Sequence, residues 1–119
     1  MITEDYVSFE TAKLLKEKGF TEYTFSDYSE DGIVGFNEVE TRVAKGYQRP
    51  TLQMAMKWLR KIYSLEIYPY HDFPKVGDKW WLEIIKYPNS ISEYESETTY
   101  NSYEEACEAG IKYCLENLI

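Results

Sequence analysis

The run WWLEIIKY at Trp80–Tyr87 is apolar at both odd and even positions, and only Glu83 and Lys86 interrupt it. Successive side chains of a β-strand point to opposite faces of its sheet. A strand formed by this run would therefore be apolar on both faces. Such a strand lies centrally in a sheet and is covered on both sides, or it uses its second face for a partner.

A second β-rich run, LEIYPYHD at Leu65–Asp72, precedes the first, and Pro74 and Gly77 lie between them. This arrangement predicts a hairpin of two antiparallel strands. The period of two then divides the second strand into an inward face, which meets the helices, and an outward face. We expect these faces to consist of Trp80, Leu82 and Ile84 and of Trp81, Ile85 and Tyr87, respectively.

An earlier hairpin is predicted from the patterns at Thr21–Tyr28 and Ile33–Thr41, with a turn at Ser29–Gly32. Residues 42–50 mix charges with a glycine and a proline and are interpreted as a connection. The polar stretch at Asn89–Asn101 alternates only weakly, so a loop and a ragged edge strand both stay open there.

Three helices have recognisable ends. Ser8 can cap the first helix, which ends at Gly19, a residue able to take the left-handed cap conformation. Pro50 and Thr51 mark the start of the second, and Ser102 with a glutamate three residues later forms a capping-box signature for the third. The second helix repeats apolar residues at intervals of three and four, and we expect this stripe in the core: Leu52, Ala55, Met56, Leu59 and Ile62.

These elements predict an α+β fold, in which an antiparallel sheet of about four strands packs with three helices in the order α-β-β-α-β-β-α. The 119 residues suit a single domain that spans 1–119. Folding at this size buries about two-thirds of the surface that the extended chain exposes. The order of the strands within the sheet stays open.

The chain carries 13 basic and 21 acidic residues, a formal net charge of -8. This charge disfavours nucleic acids and anionic membranes as partners, because those surfaces favour proteins that neutralise phosphate. The apolar runs are shorter than the roughly 20 residues of a membrane span, and Glu4 and Asp5 stand where an export signal would be basic.

Cys107 and Cys114 lie too far apart along the third helix for a disulfide. We therefore expect two buried free thiols and a cytoplasmic protein.

Two stretches, PTLQMAMKWLR at Pro50–Arg60 and SYEEACEAGIKYCLENLI at Ser102–Ile119, resemble a family of small uncharacterised proteins from gut bacteria and their phages. The stretch VSFETAKLLKEKGF at Val7–Phe20 is part of the same resemblance. The resemblance implies a single cytoplasmic domain encoded by a phage or a mobile element. It implies no activity and supplies no catalytic residues.

No catalytic, cofactor or metal site is expected from the sequence. His71 is the one histidine, and both cysteines are assigned to the core, which disfavours a zinc site. Gly32 and Gly35 have a G-x-x-G spacing but lie in a hairpin, without the strand-to-helix context of a phosphate-binding loop. Asp72 and Asp78 flank the later hairpin loop, but such pairs are common in any acidic protein.

Aromatic residues are the richest feature, with 12 tyrosines and 3 tryptophans. Aromatic side chains anchor interfaces, because each removes a large area from water while its polar tip can still find a partner. The outward set of the later hairpin, Trp81, Ile85 and Tyr87, is therefore a candidate protein-binding surface.

Glu93, Glu95 and Glu97 form a second candidate surface, because alternate residues of an extended segment share one side. The same run is also typical of a solvated loop, or of an edge strand that its charges protect from aggregation.

We expect a non-enzymatic module that binds a protein partner, or a second copy of itself as a homodimer, through its aromatic sheet face. The alternative is an acidic inhibitor that imitates nucleic acid and binds a DNA-binding enzyme through residues 93–97 and the third helix. A small enzyme is least favoured, because no set of acid, base and nucleophile emerges.

Overall fold

The computed structural model describes residues 1–36, 46–71 and 79–119. The helices are α1 Phe9–Glu17, α2 Leu52–Tyr63 and α3 Tyr103–Tyr113, and the strands are β1 Ser26–Tyr28, β2 Val34–Phe36, β3 Tyr47–Gln48, β4 Leu65–His71, β5 Trp80–Lys86 and β6 Ile91–Glu95. Helix α3 continues into a π-helical turn at Cys114–Leu118. The predicted α+β class is confirmed.

The strands form two antiparallel sheets of three strands each, in the orders β2-β1-β3 and β4-β5-β6, where the sequence predicts one sheet of about four. The two additional strands are β3 and β6. Strand β3 has two residues, too few to show a period of two, and it lies in the segment interpreted as a connection. Strand β6 shows that the polar stretch left open by the sequence contains an edge strand. The predicted strand beyond residue 36 and the loop with Pro74 and Gly77 lie outside the described residues.

Strand β5 is central, as predicted. It pairs with β4 along its whole length and with β6 on its other side. Leu82 and Ile84 are 1% and 0% exposed on the face that packs against α2 and α3, which confirms the inward set. Trp80, its third member, is half-buried and contacts the Tyr103 ring edge-on, with 5.5 Å between the ring centroids.

Helix α1 begins and ends as predicted. The Ser8 hydroxyl accepts a hydrogen bond from the Thr11 N–H at 3.2 Å, which caps the helix. After the helix, Gly19 has a φ of 96°, a conformation that glycine tolerates best. The Phe20 N–H then donates to the Leu15 carbonyl at 2.9 Å, and Phe20 returns to the core.

Helix α2 begins at its predicted cap, since the Thr51 hydroxyl accepts a hydrogen bond from the Met54 N–H at 3.1 Å. Four of the expected core residues are buried: Leu52, Ala55, Met56 and Leu59. The prediction for Ile62 is wrong, because this residue is 56% exposed. At about 100° per residue, position 63 comes closer than 62 to the centre of the buried stripe. Tyr63 therefore packs against the core in its place.

Helix α3 has the predicted capping box. The Ser102 hydroxyl accepts from the Glu105 N–H at 3.0 Å, and the Glu105 carboxylate accepts from the Asn101 N–H at 3.0 Å. At Gly110 the helix comes very close to the sheet, because a Cβ added there would lie 2.6 Å from Ile67 Cγ2. Helix α3 thus packs its backbone directly onto β4.

Both cysteines lie in the core and are 0% exposed, as predicted. Burial raises the pKa of the Cys107 thiol to about 11 and that of the Cys114 thiol to about 12. Because the thiolate is the reactive form, we expect both thiols of the native protein to react slowly with a thiol reagent at neutral pH. In denaturant, two equivalents should react rapidly. Rapid reaction of either thiol in the native protein would contradict this burial.

Candidate functional site

The outer face is the side of the β4-β5-β6 sheet opposite α2 and α3. Successive side chains of a strand point to opposite faces of its sheet. Because Leu82 and Ile84 point to the helices, the residues that alternate with them in β5 point to the outer face. The elements of the described chain that pack extensively on this sheet, α2 and α3, do so on the inner side. The outer face consists of Glu66, Tyr68 and Tyr70 from β4, Trp81, Glu83 and Ile85 from β5, and Ser92 and Glu95 from β6.

Aromatic side chains form one part of the outer face. Tyr70 is opposite Trp81 in the β4-β5 register, which brings the two side chains within contact distance. The rings of Tyr68 and Tyr70 are stacked, with centroids 5.8 Å apart and an interplanar angle of 23°. Tyr68 is 52% exposed, although it stands near the middle of a strand. A large aromatic surface therefore faces away from the core.

Trp81 contributes a polar atom without a partner. Its side chain is half-buried, and the indole Nε1 is itself buried without a hydrogen-bond acceptor among the residues that the structure describes. A buried donor left unsatisfied costs about 1–3 kcal/mol.

Two of the three glutamates of the outer face form a pair at its centre. Glu83 and Glu95 are directly opposite each other in the β5-β6 register. The Ser92 hydroxyl donates to Glu83 Oε2 at 3.1 Å. The neighbouring Glu83 raises the pKa of the Glu95 carboxyl, first through a hydrogen bond that requires a proton on one of the two groups and then through charge repulsion.

The Glu83–Glu95 pair has no compensating cation in the described part of the chain. The two ion pairs found there are Arg60–Glu66, with 3.4 Å between Nε and Oε2, and Lys112–Glu10. Glu66 is therefore balanced by Arg60 at the edge of the sheet, whereas the central pair is not. Like charges directly opposite each other destabilise a sheet.

The structure brings part of the two predicted candidate surfaces together. Trp81 and Ile85 lie on the outer face with Glu95, which the sequence assigned to a separate surface. Tyr87 follows β5 directly and is 45% exposed, and its N–H donates to the Ser64 carbonyl at 3.0 Å. Aromatic and acidic chemistry thus share one face.

The predicted row of three carboxylates depends on a regular alternation, and the structure interrupts that alternation. Strand β6 has an irregularity where Ile84 pairs with Tyr94 and Ile85 pairs with Ser92, which leaves Glu93 unpaired with β5. Tyr94 points inward and stacks on Tyr113, with centroids 3.9 Å apart. Glu93 and Glu97 are exposed, but only Glu95 of the three stands in register on the outer face.

The sequence predicts Glu83 only as an interruption of an apolar run and does not place it on a candidate surface. Its spacing from Trp81 and Ile85 was the available signal, because residues two apart in a strand share a face. That Glu83 stands opposite another carboxylate depends on the pairing of β5 with β6. A single sequence does not specify this pairing.

A cavity of about 600 Å³ lies between the N-terminal segment and α3. Its Arg49 guanidinium lies 4.0 Å from the Tyr6 ring centroid and donates to the Ser26 hydroxyl at 3.0 Å. Its Glu108 Oε1 accepts from the Ser8 N–H at 3.1 Å and from the Thr11 hydroxyl at 2.7 Å. Glu108 thus joins α3 to α1 and Arg49 contacts β1, while Arg49 Nε and Glu108 Oε2 are buried without a hydrogen-bond partner among the described residues.

The remaining predicted chemistry gives no further site in the described ranges. No group of three or more metal-ligating side chains occurs in residues 1–36, 46–71 and 79–119. The His71 ring packs near the Trp80 ring, with 5.2 Å between the two ring centroids. Asp72 and Asp78 lie outside the described residues. Within the same ranges, none of the helices has the length and apolarity required to cross a membrane.

The resemblance to small proteins of gut bacteria and their phages stays a prediction, because the comparisons do not test it. No protein-family model, curated protein or solved structure matches this chain significantly.

Proposed function

We propose that this chain is a non-enzymatic protein-interaction module that binds another protein through its outer face. The observation that carries the proposal is the aromatic group of Tyr68, Tyr70 and Trp81 on the side of the sheet away from α2 and α3. Tyrosine and tryptophan are enriched among the residues that dominate interface energies. An antiparallel sheet with one solvated face normally has polar residues there.

The exposure of Tyr68 supports this proposal more directly than that of Trp81. Tyr68 is 52% exposed, so its ring contributes little to the core. Trp81 is half-buried, so its truncation would combine lost packing with lost binding. Tyr68→Ser is therefore the cleaner test of a binding role.

We expect a photoreactive phenylalanine analogue at position 68 to form a covalent adduct with one protein in cells of the native host. The adduct should be lost when Trp81→Phe or Ile85→Ser is added, because both residues belong to the same face. The matched control places the analogue at Phe25, which is 71% exposed and lies outside the β4-β5-β6 sheet. Adducts are identified by mass spectrometry.

Two outcomes would overturn the proposal. One is the absence of any adduct at position 68, and the other is an adduct that persists unchanged in the Trp81 and Ile85 variants. Tyr68→Ser should change the free energy of unfolding by less than about 1 kcal/mol, as is usual for exposed positions. Urea unfolding of the Trp81→Phe and Ile85→Ser variants as well separates a lost adduct from a lost fold.

The alternative function, an acidic imitation of nucleic acid, has weaker support. It needs a row of like charges, and the irregularity in β6 separates Glu93 from Glu95 on the sheet. If the chain were an inhibitor of this kind, the Tyr68→Ser variant would capture the target DNA-binding enzyme as well as the original chain does. Neutralising Glu93, Glu95 and Glu97 together would abolish its binding in a salt-dependent way.

A further inference from the structure

The centre of the outer face is a row of three residues, one from each strand. Tyr68 pairs with Glu83, and Glu83 pairs with Glu95. The aromatic pair Tyr70–Trp81 stands in the next outward position along the strands. An aromatic surface therefore borders two carboxylates that lack a cation from the described chain.

This combination matches the chemistry of a side-chain cation. A guanidinium or ammonium group is attracted to the face of a tryptophan or tyrosine ring. It also pairs with carboxylates, and arginine does so through two parallel hydrogen bonds. One cation placed over the row would relieve the repulsion between Glu83 and Glu95 and contact Tyr68 at the same time.

A second copy of this chain fits the outer face poorly. A two-fold symmetric dimer brings the same surface patch of both subunits together. The Glu83–Glu95 pair of one copy would then approach the acidic pair of the other, and each chain already has a formal net charge of -8. Like charges brought together across an interface disfavour the complex.

We infer that the protein bound by the outer face presents an arginine or lysine side chain to Glu83 and Glu95, within a basic segment that also contacts the aromatic residues. The inference rests on the proposed function, since it specifies the chemistry of the partner at that same face. Charge complementarity carries it: the face is acidic and aromatic, and the partner is basic.

The test uses a short synthetic peptide of arginine and glycine and follows binding by NMR of the ¹⁵N-labelled protein. The expected result is a shift of the Trp81 indole signal and of the β5 and β6 amide signals. A peptide with citrulline in place of arginine has nearly the same shape without the charge and should not bind. The affinity for the arginine peptide should fall as the salt concentration rises from about 50 to 300 mM.

Glu83→Gln with Glu95→Gln should weaken binding of the arginine peptide by about tenfold or more, because both charged acceptors are lost. The control is Glu22→Gln with Glu116→Gln, which changes the net charge equally at two exposed positions outside this sheet. The control should leave the affinity unchanged. Urea unfolding should show that the Glu83 and Glu95 double variant stays folded, because the change removes a repulsion.

Equal binding of the citrulline peptide, or equal weakening in the control variant, would overturn the inference. If the protein captured at position 68 still binds the Glu83 and Glu95 double variant, the inference fails and the proposed function stands. If no adduct forms at position 68 while the arginine peptide binds as described, the proposed function fails instead. A dimer in sedimentation that Tyr68→Ser dissociates would identify a second copy as the occupant and overturn the inference.

Discussion

Leu59→Ala is expected to lower the free energy of unfolding by about 2–5 kcal/mol, as is usual when a buried leucine is truncated and a cavity is left. Leu59 is 0% exposed and belongs to the core cluster that α2 shares with α1, β4, β5 and α3. These elements surround Leu59 on several sides, so they can move only partly into the space that the truncated side chain leaves. The midpoint and slope of urea unfolding, followed by tryptophan fluorescence or circular dichroism, measure the change.

The matched control for this prediction is Lys57→Ala, two residues away on the exposed side of the same helix. Its effect should lie within about 0.5 kcal/mol of the original protein. The difference between the two variants then reports burial rather than helix propensity. Equal shifts of the unfolding midpoint would mean that the helical phase of α2 is not the one described.

Gly110→Ala is the second substitution with a large expected effect. We expect it to lower the free energy of unfolding, although helix propensity alone would raise it. Alanine is a better helix former than glycine by about 1 kcal/mol. However, the new Cβ would lie 2.6 Å from Ile67 Cγ2 and 3.1 Å from Leu82 Cδ1, both on buried side chains. Overpacking of this kind costs about 1–3 kcal/mol, so we expect a net loss of stability.

The same unfolding measurement checks the Gly110 prediction, and a second variant gives it a control. Ile67→Ala alone should destabilise the protein, but combined with Gly110→Ala it should cost less than the sum of the two single changes. The reason is that the smaller side chain removes the atoms that the new Cβ would meet. An increase in stability on Gly110→Ala would contradict the close contact between α3 and β4.

The helix ends could be predicted from sequence because their signals are local. Ser8, Thr51 and Ser102 each cap a helix with a side chain that reaches a backbone N–H three residues later. Ile62 shows the limit of this reasoning. The spacing of three and four predicted Ile62 in the buried stripe, but at about 100° per residue position 63 lies closer to the centre of that stripe, so Ile62 is exposed and Tyr63 packs against the core.

The sheets were less predictable, because their pairing joins residues that are distant in sequence. The central place of β5 followed from its two apolar faces, and the structure confirms it. Two sheets in place of one, and the strand β6, depend on pairings that the alternation of a single segment does not encode. The candidate site combines both cases, since Trp81 and Ile85 could be named from spacing whereas the Glu83–Glu95 pair could not.

The contacts of Glu108 have a consequence for the order in which the protein folds during synthesis. This glutamate of α3 accepts hydrogen bonds from the Ser8 N–H and the Thr11 hydroxyl, and the Thr11 contact spans 97 residues of sequence. Helix α3 is synthesised after α1, α2 and the six described strands. Helix α1 is made before α3 and therefore lacks this anchor until α3 has left the ribosome, so the contact between the two helices forms only late in the synthesis of this domain.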